Sequence, residues 1–252
     1  CKMSTLPALP SRDSDAFMSE RTGLVMKRAF ELMRSTGYGA ARWMRNLTLA
    51  IGVFSRAAYA EKVTIAALGD SLTAGYGLRV DQGFVPQLQG WLDAEGADVT
   101  VLNAGVSGDT TAGGLSRVDW TLTPDVDAMI VALGGNDLLR GLDPSVSRAN
   151  LDAILAKAQA ADIQVLLVGL TAGANYGPDF KTAFDGMYVD LAAKYAVPLY
   201  PNFFAGLLAA AGTQDKVLGF MQADGIHPNE EGVKANVAAI GSAVLELAQT
   251  AR

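Results

Sequence analysis

Short apolar runs rich in Val, Ile and Leu recur along the chain at Val63–Leu68, Val99–Leu102, Met129–Leu133, Val165–Leu170 and, more weakly, Val197–Tyr200. Each has the length of a strand and lacks polar alternation, which is the pattern of a strand covered on both faces in a parallel sheet. Segments with helical spacing lie between them. Phe84–Ala94 aligns Val85, Leu88 and Leu92; Leu151, Ile154, Leu155 and Ala158 form a second stripe, and Phe184, Met187, Leu191 and Tyr195 a third. Glu230–Gln249 carries the longest, through Val233, Val237, Ile240, Val244 and Leu247. Five alternations of strand and helix predict an α/β fold, a doubly wound α/β/α sandwich. Ligands of such sheets bind beyond the carboxyl ends of the strands. The Gly-rich and polar clusters fall there: Gly69–Ser71, Gly105–Thr110, Gly134–Asp137 and Ala174–Gly177, with Asp224–Asn229 just before the last helix.

Before residue 61 this periodicity is absent. Residues 1–60 contain nine basic and four acidic side chains, and residues 61–252 eleven and 22. The net charge of −6 is therefore the sum of a +5 segment and a −11 segment. Arg42 and Arg45 precede the apolar run Leu47–Phe54, and Ala58-Tyr59-Ala60 follows it. A basic region, a short apolar region and A-x-A are the parts of a secretory signal peptide, so residues 1–60 are expected to be a leader cleaved after Ala60. The run is too short to span a bilayer, which takes roughly 20 apolar residues. Residues 61–252 are then a single domain, exported to the periplasm or secreted.

Charge and composition narrow the chemistry. An acidic domain disfavours nucleic acid as a partner. The lone cysteine, Cys1, rules out a disulfide framework, and the lone histidine, His227, rules out a histidine metal cluster. No metal site is expected.

Any imidazole acid–base chemistry must use His227. Asp224 lies three residues before it on a turn holding Gly225 and Pro228, and Asn229 can cap the following helix. A carboxylate at that distance can accept from one ring nitrogen and leave the other outward as a base. Asp-x-x-His taken alone is a weak signal that fits an exposed turn histidine better. Ser71 sits where a strand ends and a turn begins, and a serine hydroxyl becomes a useful nucleophile only beside a base. Asp70 and Ser71 could also be plain turn or cap residues. Neither Ser71 nor Ser107 fits G-x-S-x-G, so the α/β-hydrolase elbow is absent. Acyl transfer needs donors for the oxyanion; the Ser71 and Gly108 N–H groups and the Asn136 amide are candidates.

Gly69-Asp70-Ser71-Leu72, Gly108, Gly135-Asn136-Asp137 and Asp224-x-x-His227 resemble the four sequence blocks of the GDSL or SGNH hydrolases. The strings GDSLTAGYG (69–77), NAGVSGDTTAGGL (103–115), LGGNDLLRG (133–141), ANYG (174–177) and DGIHPN (224–229) are similar to the bacterial thioesterase I/protease I/lysophospholipase and arylesterase subfamily. The resemblance implies a three-layer, flavodoxin-like α/β/α sandwich with a five-stranded parallel sheet. It implies Ser71 as nucleophile, His227 as base and then acid, and Asp224 as the group orienting His227. The Ser71 and Gly108 N–H groups and the Asn136 side chain would form the oxyanion hole. Asp70, Ala174, Asn175 and Tyr176 are further candidates for contact with substrate, and Phe and Leu residues near 203–220 for lining an acyl path. The implied substrates are carboxylic esters and thioesters, including acyl-CoA, lysophospholipid and aryl esters, handled without cofactor by a monomer. Two other readings share these residues: a carbohydrate O-acetylesterase, and a secreted binding module that keeps the fold without turnover.

Overall fold

A computed structural model describes residues 62–251 of the chain. The expected leader, with its cleavage point after Ala60, lies outside the described residues. The strands are β1 (Val63–Gly69), β2 (Val99–Gly105), β3 (Ala128–Ala132), β4 (Gln164–Val168) and β5 (Leu199–Tyr200). The helices are α1 (Ser71–Ala74), α2 (Phe84–Ala94), α3 (Thr111–Thr121), α4 (Gly135–Leu139), α5 (Pro144–Ala160), α6 (Pro178–Tyr195), α7 (Ala205–Ala211) and α8 (Glu230–Thr250), with 3-10 turns at Val80–Gln82 and Gln214–Phe220.

The strands pair in the order β2-β1-β3-β4-β5, and every pairing is parallel. Helices α2, α7 and α8 pack together on one face, and α3, α5 and α6 on the other. This is the expected three-layer sandwich. The central strands explain the unbroken apolar runs, because β1, β3 and β4 are covered on both sides: Ile65, Leu68, Met129, Ile130, Val131, Leu166 and Leu167 are all buried. The long stripe of α8 faces the same core through Val233, Val237, Ile240, Val244 and Leu247.

The structure departs from the sequence reading in local detail. The second run belongs to an edge strand, so Leu102 is exposed rather than buried. The fourth strand stops at Val168, and Gly169 and Leu170 belong to the loop beyond it. Helix α3 gives no clear sequence signal, because Thr111–Thr121 contains two glycines and few apolar residues. Its Gly114 lies close to Leu133, whose Cδ1 would be 2.2 Å from a Cβ there.

The register sets the position of the loops. Gly69 aligns with Gly105 on one side and Ala132 on the other, so β1, β2 and β3 end level. The chain leaves β1 toward β2 and then crosses back over it to β3, which creates a switch point between β1 and β3. The loops after these strands open there.

Candidate functional site

Ser71 is the first residue of α1, immediately beyond β1. Asp70 caps this short helix, its Oδ1 accepting from the Leu72 N–H at 3.0 Å. Close packing at this corner selects glycine twice. A Cβ on Gly69 would lie 2.0 Å from Thr73 Oγ1, and one on Gly105 would lie 2.4 Å from the Ala74 nitrogen. The second clash is with backbone, so α1 can seat against the end of β2 only because Gly105 has no side chain.

The residues from 221 to 229 fold as a tight local unit. Met221 and Pro228 form an antiparallel bridge, and the Gln222 N–H donates to the His227 carbonyl at 2.8 Å. Inside the loop, Asp224 Oδ1 accepts from the N–H groups of Ile226 (2.9 Å) and His227 (3.0 Å). Gly225 takes the left-handed conformation, at φ 66°, that the turn requires. Asn229 caps α8 through the Gly232 N–H. The turn therefore points the remaining carboxylate oxygen, Oδ2, at the ring: it lies 2.6 Å from His227 Nδ1. On the other side of the ring, Nε2 is 2.8 Å from Ser71 Oγ.

The proton positions follow from charge. Hydrogen bonds from the His227 backbone N–H, its ring and the Ile226 N–H hold the Asp224 carboxyl down at about 2. An ionised carboxylate only accepts, so Nδ1 carries the proton and Nε2 is free to accept from the Ser71 hydroxyl. The Tyr76 ring lies against the imidazole with centroids 4.7 Å apart. Gln222 Nε2 donates to the Tyr76 and Pro228 carbonyls at 2.8 and 3.0 Å and so ties the α1 segment to the histidine turn.

Asn136 enters from α4, just past β3. Its Nδ2 donates one hydrogen to the Asp109 carbonyl at 3.0 Å, leaving a second N–H on the same nitrogen. The neighbouring Asp137 is buried and accepts from the Thr111 N–H, the Thr111 hydroxyl and the Ser147 hydroxyl at 2.8, 2.6 and 2.9 Å. These bonds fix α4 against the start of α3 and α5. Gly108 has φ 87°, a conformation that glycine adopts without strain. Its carbonyl accepts from Arg140 Nη2 at 2.9 Å, and among the described residues neither its N–H nor that of Ser71 donates to any acceptor.

These groups border a cleft of about 430 Å³. Ser71, His227, Asn136 and Asp70 contribute to its lining, and most of the rest is apolar: Leu138, Leu139, Leu170, Phe204, Leu207, Leu208, Val217, Met221 and Ile226. Asp70 is 2% exposed. Burial pushes its carboxyl up to about 6 against the opposing effects of the Leu72 N–H and of His227.

The structure thus brings Ser71, Asp224, His227, Asn136 and Asp70 together. Gly108 sits in the adjoining loop and does not line the cleft itself. Ala174, Asn175 and Tyr176 are also outside the lining; the cleft meets that loop earlier, at Leu170 and Thr171. Tyr176 turns its hydroxyl to the Leu139 carbonyl at 3.2 Å and packs its ring on Phe180. Within 203–220, Phe204, Leu207, Leu208 and Val217 line the cleft, whereas Phe203 is buried in the core. Gln222 and Arg117 support the site and lie outside the quoted motifs, so only the tertiary contacts reveal them. Among the described residues no three His, Cys, Asp or Glu side chains group as metal ligands. None of the helices there is long and apolar enough to cross a membrane.

Comparison with known proteins identifies the family of the chain. Residues 67–235 match the GDSL-like lipase/acylhydrolase family. The chain is 44% identical over 166 residues to Esterase TesA of Pseudomonas aeruginosa, covering 66% of this chain and 79% of that protein. It is 35% identical over 191 residues to Thioesterase 1/protease 1/lysophospholipase L1 of Escherichia coli, covering 75% and 86%. The crystal structure of AlinE4, an SGNH-hydrolase family esterase, superposes with a TM-score of 0.60 at 42% identity, covering 74% of this chain and 96% of that one. The chain belongs to the GDSL-like lipase/acylhydrolase family and is an ester hydrolase with the SGNH-hydrolase α/β/α fold.

Proposed function

We propose that the protein cleaves carboxylic esters and thioesters of acyl chains through an acyl-enzyme on Ser71. The observation that carries this reading is the hydrogen-bonded series Ser71 Oγ, His227 Nε2, His227 Nδ1 and Asp224 Oδ2, with separations of 2.8 and 2.6 Å. Ser71 Oγ attacks the carbonyl carbon while Nε2 takes its proton, and ionised Asp224 stabilises the imidazolium that forms. The oxyanion of the tetrahedral intermediate is met by the Ser71 and Gly108 N–H groups and the free N–H of Asn136. Collapse expels the alcohol or thiol, protonated by His227. Water activated by the same imidazole then attacks the acyl-serine and releases the carboxylic acid and Ser71.

The lining of the cleft supports acyl chains over acetylated sugars, because leucines, Phe204 and Met221 offer few polar partners to a carbohydrate. Acyl-CoA thioesters, lysophospholipids and aryl esters are the proposed substrates, and a bound acyl chain would lie along Leu207, Leu208 and Val217. The expected leader adds a location, the periplasm or the exterior, after cleavage following Ala60. N-terminal sequencing of the exported protein tests that assignment, and a mature chain starting well before Glu61 would overturn it.

The central test is Ser71→Ala. Its kcat on p-nitrophenyl esters is expected to fall by on the order of 10⁴ or more, as in other triads. Stoichiometric labelling by a fluorophosphonate should disappear in this variant and in His227→Ala. A folded Ser71→Ala protein that turns over at the wild-type rate would refute the mechanism.

A further inference from the structure

The loop that carries Gly108 has little secondary structure of its own, yet five sets of contacts hold it. The Val106 N–H donates to the Gly69 carbonyl at 3.0 Å, the Asp109 N–H closes a turn on the Val106 carbonyl at 3.1 Å, the Gly108 carbonyl receives Arg140, and the Asp109 carbonyl receives Asn136. The remaining anchor is the guanidinium of Arg117, on the second turn of α3. Its Nε is 2.6 Å from Asp109 Oδ2, its Nη1 donates to the Ala104 carbonyl at 2.8 Å, and its Nη2 donates to the Gly69 carbonyl at 2.8 Å. One rigid planar fork therefore grips the end of β1, the end of β2 and the loop between β2 and α3. The Arg117 and Asp109 side chains are 22% and 19% exposed, which makes this more than a solvated surface pair. Gly113 leaves room for the Asp109 carboxylate: a Cβ there would be 2.6 Å from Oδ1.

These contacts converge on the proposed oxyanion donors. Gly69 lies two residues before Ser71. Asp109 follows Gly108 directly, and its carbonyl is the partner that orients Asn136 Nδ2. We propose that, given Ser71-based acyl transfer at this site, Arg117 acts through Asp109 as a positioning residue that sets the spacing between the Ser71 N–H, the Gly108 N–H and the Asn136 amide. Arg117 touches neither substrate nor reacting atoms. Its effect falls on the transition state, because the oxyanion exists there and not in the bound ester. A displacement of about 1 Å in such donors costs on the order of 100-fold in rate. Lysine cannot substitute fully, since an ammonium is a point charge and cannot hold three acceptors in one plane.

The test is a double-mutant cycle on the full chain with p-nitrophenyl butyrate as substrate. Arg117→Met is expected to lower kcat by on the order of 10- to 100-fold with KM changed less than about threefold. Arg117→Lys should recover only part of that loss. Combined with Asn136→Ala, Arg117→Met should cost little beyond Asn136→Ala alone, because both act on one constellation. Asp109→Asn, which keeps side-chain shape and removes the charge, repeats the cycle if Arg117→Met does not fold. Losses that multiply in the double variant, an unchanged kcat, or a loss confined to KM would overturn the positioning role. Ser71→Ala run in parallel separates the two readings: wild-type turnover there refutes acyl transfer by Ser71, whereas its inactivity with multiplicative Arg117 losses refutes the positioning role alone.

Discussion

Asp70 gives the protein a pH-dependent stability term that substitution can isolate. The carboxyl is 2% exposed, accepts one N–H from Leu72, and lies in the field of the carboxylates Asp137 and Asp109, with His227 as the opposing charge. Its pKa rises from 3.8 to about 6, chiefly because burial disfavours the ionised form. At about 1.4 kcal/mol per pH unit this amounts to about 3 kcal/mol. Because the folded state holds this proton more tightly than the unfolded chain does, the stabilisation is complete below about pH 4 and is lost as the pH rises through 6. Asp70→Asn keeps an acceptor for the Leu72 N–H and abolishes the titration. The new NH₂ group adds a cost of about 1–3 kcal/mol if it finds no acceptor, but that cost does not vary with pH. The assay is urea unfolding of both proteins at intervals from pH 4 to pH 8, followed by tryptophan fluorescence. Other carboxylates titrate in both proteins and cancel in the difference. Between the two ends of the range the difference should move by about 2.4 kcal/mol in favour of the asparagine variant, since at pH 4 the unfolded chain is itself already partly ionised. A difference flat to within about 0.5 kcal/mol would show that Asp70 is not held protonated by burial and would refute the reasoning.

Asn136→Ala removes one proposed oxyanion donor and should lower kcat by about 10²–10³ with native-like melting; an unchanged kcat would exclude that donor. Gly105→Ala forces a Cβ to 2.4 Å from the Ala74 nitrogen, so α1 must shift. Overpacking of this kind costs about 1–3 kcal/mol, and because Ser71 rides on α1 the variant should also lose kcat; a variant equal to wild type in both urea midpoint and kcat contradicts the packing. Across p-nitrophenyl esters, kcat/KM should climb from acetyl upward, by up to about 0.8 kcal/mol for each newly buried CH₂. The gain should stop once the chain extends past the apolar lining of the cleft. A preference for acetyl would count against the acyl-chain reading.

The parts of the site legible in the sequence are those made by local chemistry. Asp224, Gly225, His227, Pro228 and Asn229 build their own turn, and the bond between carboxylate and imidazole is almost complete within that one segment. Asp70 and Ser71 read as the end of a strand and the start of a turn because a glycine and polar residues mark the change; the structure makes that turn a short helix capped by Asp70. Arg117 and Gln222 were not legible, since an arginine one turn into a helix or a glutamine in a loop is most often solvated. Their roles depend on backbone carbonyls distant in sequence: Arg117 reaches back 48 residues to Gly69, and Gln222 reaches 146 to Tyr76. The loop at 174–176 shows the opposite failure. Its motif marks it for the site, yet the cleft is lined by Leu170 and Thr171 before it.

The sequence by itself determined the alternation of buried strands and amphipathic helices, the parallel sheet, and the residue types able to carry ester hydrolysis, because periodicity, capping and turn chemistry act over a few residues. Only the tertiary structure decided that Leu102 lies on an edge, that the cleft is apolar, and that β1, β2 and β3 end level. That register brings the hydroxyl of Ser71 to within 2.8 Å of a ring 156 residues away. Such distances depend on how strands pair and helices seat against them, through contacts such as Gly105 on Ala74. No local pattern encodes them, because each is set by the packing of segments that meet only in the folded chain.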